Sequence, residues 1–118
     1  MPWPFSFPRS FRTRSLRFVA EQDGAPEREF KQLVKNLLKR HQSVGAAYLV
    51  RVSYIAWGPY SVALCLAGPS NDKLVRELSD IFAKMFGSRE HLDIAFLNGK
   101  QVVEVAAVCK PFYTRESF

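Results

Sequence analysis

The stretch Val44-Gly45-Ala46-Ala47-Tyr48-Leu49-Val50-Arg51-Val52-Ser53-Tyr54, followed beyond Ala56-Trp57-Gly58-Pro59 by Ser61-Val62-Ala63-Leu64-Cys65-Leu66-Ala67, decides how this chain folds. Its first half is rich in β-branched and aromatic residues and has no internal proline, which predicts a strand buried on at least one face. The second half sets Val62, Leu64 and Leu66 on one side and Ala63, Cys65 and Ala67 on the other. Both sides are apolar, so both faces of that strand are expected to be covered. The connection is short, and a short connection joins antiparallel neighbours.

Downstream, Gly68-Pro69-Ser70-Asn71 ends the hairpin, and Ser70 or Asn71 is placed to cap a helix in which Leu74, Val75, Leu78, Ile81, Phe82 and Met85 recur at helical spacing. Gly87 is a natural stop. Residues 92–97 alternate as a third strand. Asn98-Gly99 then gives the strongest short hairpin signal, making residues 101–108 a fourth strand. Val102, Val105, Ala106 and Cys109 also fit a short helix at those positions, although propensity favours the strand. Pro111 ends either element and leaves residues 112–118 as a tail.

Upstream, Pro26 with Glu27 and Glu29 begins, and Lys39, Arg40 and His41 end, a segment ordered as the helix dipole prefers. Phe30, Leu33, Val34, Leu37 and Leu38 form its core stripe, while Lys31, Lys35 and Lys39 form a row read as a solvated face. Residues 1–25 are a basic arm rich in proline and aromatics, with Pro2, Pro4 and Pro8 among Trp3, Phe5, Phe7 and Phe11. Within the arm, residues 15–20 alternate well enough for an edge strand, and residues 21–24 read as a turn. Residues 26–118 are read as one domain.

The 118 residues are 47% hydrophobic and 24% charged, which fits one globular domain and excludes a collagen-like or wholly disordered chain. No apolar run approaches the roughly 18–20 residues of a membrane span, and no secretory pattern follows the first basic residues. A cytoplasmic location with free, buried Cys65 and Cys109 is expected. The net charge is +6, but Arg9, Arg12, Arg14 and Arg17 lie in an acid-free stretch and supply most of it. A nucleic-acid-binding domain normally gathers such charge on a structured face.

Chemical constellations are absent from the sequence. No glycine-rich phosphate loop occurs, and His41 and His91 stand apart from any cysteine or acidic cluster. Cys65 lies mid-strand, where an apolar setting makes a thiol inert. Asp93 and Glu104 each fit the solvent side of their own element. No catalytic, cofactor or metal site is expected. The residues that stand out are Trp57 and Tyr60 beside the hairpin turn, and Phe112 and Tyr113 in the ending Lys110-Pro111-Phe112-Tyr113-Thr114-Arg115, since aromatics dominate contact surfaces.

The order of elements, the strand Val44-Gly45-Ala46-Ala47-Tyr48-Leu49, the strand Leu92-Asp93-Ile94-Ala95-Phe96-Leu97 and the Pro111-Phe112-Tyr113 ending resemble the carboxyl-terminal domain of the SseB-like, or enhanced serine sensitivity, family of bacterial proteins. The likeness runs over about residues 26–115. It implies an α+β fold, a small mixed sheet of three to four strands packed with two main helices and a short C-terminal helix, so residues 101–109 are expected to be helical against the propensity reading. The family brings no established catalytic residue, and its members often carry another domain before this one. The expectation is therefore a poorly characterised, non-enzymatic cytoplasmic protein that binds an unidentified protein partner through Trp57, Tyr60, Phe112 and Tyr113, or a second copy of itself. The alternative is a nucleic-acid or anionic-surface binder using Arg9, Arg12, Arg14 and Arg17.

Overall fold

The computed structural model describes residues 17–53, 60–87 and 92–115. Elements follow in the order β1 (Arg17–Glu21), α1 (Ala25–Leu38), β2 (Ala46–Ser53), β3 (Tyr60–Ala67), α2 (Asp72–Phe86), β4 (Asp93–Leu97), α3 (Gly99–Ala106) and β5 (Tyr113–Thr114). The α+β class is as expected, but the sheet has five strands, ordered β1-β2-β3-β4, with β5 also on β2.

The hairpin sits at the sheet's centre. β2 and β3 pair antiparallel along their whole length, from Ala46 opposite Ala67 to Ser53 opposite Tyr60. β3 and β4 run parallel, with Leu64 beside Ile94, and such a pair needs a long crossover, here α2. The other edge of β2 is shared: β1 takes its C-terminal half and β5 pairs with Ala46 and Ala47. Backbone bonds from Gln22 N to Leu49 O and from Phe112 N to Ala47 O, 3.0 and 2.9 Å, continue that edge between the two strands.

The period-2 pattern divides the sheet into two buried faces. On one, Ala47, Leu49, Leu64, Leu66, Ile94 and Phe96 meet Phe30, Val34, Leu37 and Leu38 of α1 and Leu74, Val75, Leu78 and Phe82 of α2. On the other, Tyr48, Val50, Val52, Ala63, Cys65 and Leu97 meet Val105 of α3 and Cys109. Leu33 departs from its expected place in the core, being 41% exposed, because a stripe five positions wide exceeds the arc that α2 and the sheet cover.

Residues 99–106 are helical, as the family likeness implied and propensity did not. Asn98 is not a hairpin turn but an N-cap: its side chain accepts from Gln101 N at 2.9 Å, and the Gln101 side chain accepts from Asn98 N at 3.0 Å. This capping box satisfies two otherwise unpaired donors, and the helix then buries Gln101 and Val105. Asn71 caps α2 with a single bond, its side chain accepting from Leu74 N at 3.0 Å.

Candidate functional site

The carboxyl-terminal ending is a clasp that closes the domain. Arg115 N donates to Gly45 O, and its guanidinium donates to Val44 O at 3.3 Å, to Leu38 O at 3.1 Å and to His41 O at 3.0 Å. Helix ends leave carbonyls without partners and concentrate partial negative charge there, so a guanidinium at the end of α1 is both donor and counter-charge. Tyr113 reaches the same place from β5, its hydroxyl donating to Leu38 O at 3.4 Å.

This geometry corrects the reading of Tyr113 as a contact residue. It is only 7% exposed and belongs to the core against α1, because pairing with Ala47 turns its ring onto the face that α1 covers. Phe112 is half-buried, with the Lys31 ammonium 6.0 Å from its ring centroid. Lys31 is correspondingly not a solvated member of a lysine row. Its side chain is 12% exposed and pairs with Glu21 and Asp23, each at 3.4 Å. Trp57, Arg9, Arg12 and Arg14 lie outside the described residues. The backbones of Arg17 and Tyr60 pair with Ser53 from opposite edges of β2, a juxtaposition that no local sequence pattern shows.

Of the groups weighed for catalysis, Cys65, Cys109 and Asp93 lie near one another on the buried face that α3 covers. Asp93 is buried, not solvent-facing, while Glu104 is exposed on α3. His41 Nε2 lies 2.9 Å from Glu77 Oε1 and ties α1 to α2, and His91 is outside the described residues. No group of His, Cys, Asp and Glu fit to hold a metal occurs among the described residues. Both thiols are free and buried. Burial pushes Cys65 far up, with smaller pushes from Cys109 and Asp93. Cys109 donates to Leu49 O at 3.6 Å, and burial, then the Glu21 carboxylate, raises it from an ordinary 9.0 to about 11 despite the opposing pull of Lys31.

A raised thiol value favours the protonated, folded state. Below about pH 9 both folded and unfolded chains largely keep the proton. Above it the unfolded chain releases protons that the folded one retains, so stability falls as pH rises toward 11. We expect Cys109 to contribute to a loss of stability across that window, measurable by denaturant melts at stepped alkaline pH. Near neutral pH, iodoacetamide is expected to label neither thiol until denaturant is added, as mass spectrometry would register.

One feature of the helical layer escaped the sequence reading. Between α1 and α2 runs a surface groove of about 320 Å³, floored by Leu33, Leu37 and Ile81 and edged by Arg40, Glu77, Asp80 and Lys84. A single sequence pattern describes one helix at a time and does not show which exposed leucine lies beside a neighbour's isoleucine. Val103 and Val108, at 72% and 39% exposure, are further exposed apolar side chains on and just beyond α3.

Fold and clasp together define a small α+β domain whose most recognisable motif is architectural, its aromatic and arginine locking the end of the first helix. The family model of the SseB protein C-terminal domain matches residues 21–115, and the chain belongs to that family. Comparisons with curated proteins and with solved structures give no significant match.

Proposed function

We propose that this chain is a non-enzymatic protein-interaction module of the bacterial cytoplasm. The observation that carries the reading is the α1–α2 groove. It offers apolar side chains between charges of both signs, the arrangement into which an amphipathic partner helix lays its apolar face. No helix of the described residues is long and apolar enough to cross a membrane. Trp57 and Tyr60 remain the aromatic candidates outside the groove, with Phe112 a minor one.

The test is affinity purification of the intact chain from bacterial cytoplasm, with and without nuclease, beside the variants Leu33→Glu and Trp57→Ala/Tyr60→Ala. Leu33 is 41% exposed, so a charge there is expected to cost under about 0.5 kcal/mol. A stoichiometric protein retained by wild type and lost from Leu33→Glu, at unchanged melting temperature, supports the groove. Loss only from the Trp57/Tyr60 variant moves the contact to the hairpin turn. The competing reading, a nucleic-acid or anionic-surface binder, rests on Arg9, Arg12, Arg14 and Arg17 carrying +4 of the net +6. It would instead give salt-sensitive, nuclease-sensitive capture that disappears when residues 1–16 are deleted and Arg17 is replaced by alanine.

A further inference from the structure

Under the helical layer lies a second space, distinct from the α1–α2 groove. It is a half-enclosed cavity of about 120 Å³ between the first turns of α1, the last turns of α2 and the sheet. Phe30, Phe82 and Phe86 form one wall, and Leu49, Val62 and Leu92 the other. Protein cores normally leave few voids larger than a water molecule, and an apolar cavity of about 150 Å³ is known to stay dry and to admit benzene. A space of this size and lining is therefore suited to a guest of about one aromatic ring.

The three phenylalanines specify the guest's shape further. Phe30 meets Phe82 with ring centroids 5.7 Å apart and planes at 82°, and meets Phe86 at 5.9 Å and 69°. Phe82 and Phe86 are tilted by 35° at 4.8 Å. Rings so disposed present both edges and faces, the surfaces against which another aromatic ring packs best. Among the described residues of the lining, Glu27 is the only charged one, and it accepts a hydrogen bond from Gln22 Nε2 at 2.8 Å. A carboxylate there repels an anionic guest and favours a neutral or cationic one.

We propose that this cavity is a binding site for a small compound carrying a single aromatic ring, neutral or bearing an amine, with the ring among Phe30, Phe82 and Phe86 and the amine toward Glu27. The site needs no residue of the α1–α2 groove, so the two proposals stand or fall separately.

The experiment titrates the intact, isotopically labelled chain with benzene, benzylamine and benzoate, following the methyl resonances of Leu49, Val62 and Leu92 and the melting temperature. Saturable shifts at those methyls are expected with benzene and benzylamine, benzylamine binding more tightly and benzoate at least about tenfold more weakly than benzylamine. At a tenfold excess over Kd the melting temperature is expected to rise by roughly 5 °C. Val62→Leu and Val62→Phe place extra carbon in the cavity and are expected to weaken binding at least tenfold. Glu27→Gln is expected to remove most of the difference between benzylamine and benzoate. Absence of saturable shifts with benzene and benzylamine in wild type overturns the proposal. So does undiminished affinity in Val62→Leu, the smaller change, which decides the matter if Val62→Phe does not fold. Equal affinity for benzoate and benzylamine overturns the role given to Glu27.

Discussion

Tyr113→Ala is expected to lower the stability of the folded chain by about 3–5 kcal/mol, measured as the shift in denaturant midpoint. The ring is 7% exposed within the cluster that joins α1 and α2 to the sheet, so its removal leaves an apolar void and strips the strand β5 of its anchor. Truncations of buried aromatics lose the transfer free energy of the ring together with the cost of the cavity. Tyr113→Phe separates ring from hydroxyl. It deletes one long hydrogen bond to Leu38 O, 3.4 Å, and is expected to cost under about 1 kcal/mol. Phe112→Ala, one residue earlier, removes a half-buried ring and its cation contact with Lys31, and is expected to cost roughly 0.5–1 kcal/mol for that contact. A Tyr113→Ala variant that melts like wild type would show that the residue sits on the surface after all.

Gly68→Ala is the second large effect, expected at about 2–4 kcal/mol. Gly68 has φ +153°, and a Cβ built on it would collide with the backbone oxygen of Ser43. The obstruction is backbone, not the end of a flexible side chain, so the loop before β2 must move to admit even a methyl group. That loop is held on both sides, by Gly45 N to Ala67 O at 2.9 Å and by the Arg115 bond to Val44 O. Gly87 supplies the control. It too has positive φ, +85°, but open space where a Cβ would be, so Gly87→Ala is expected to cost only the backbone strain, about 1–2 kcal/mol. Thermal melts of the two variants side by side test the distinction, and equal losses would mean that conformation alone, without the close approach, sets the cost at Gly68.

Most of the fold could be read from local pattern because each element has a period that matches its shape. The alternation of Val62, Leu64 and Leu66 against Ala63 and Cys65 named a strand covered on both sides, and β3 is buried on both. Pro26 near the start of α1, Asn71 before α2 and Gly87 after it marked their helices through chemistry confined to a few adjacent residues. Residues 99–106 show where competing local signals tie. Asn98-Gly99 suits a hairpin, yet Asn98 and Gln101 also have capping-box spacing, and the valines that favour a strand are carried on a helix. A strand here would need a partner to satisfy its backbone, whereas the helix bonds to itself and still buries Val105.

The candidate site was less legible. Groove, cavity and clasp each join residues far apart in the chain, as Arg115 and Leu38 are, and no periodicity couples such positions. What the sequence by itself determined was most of the elements and the buried faces of the central strands, since these depend on spacing within a few turns or strands. Only the tertiary structure decided that Tyr113 is core and Leu33 surface, because exposure is set by which other element lies against a side chain. The same holds for function: an apolar residue becomes a contact or a cavity wall through its neighbours in space, and here those neighbours are supplied by the packing of α1 and α2 on the sheet.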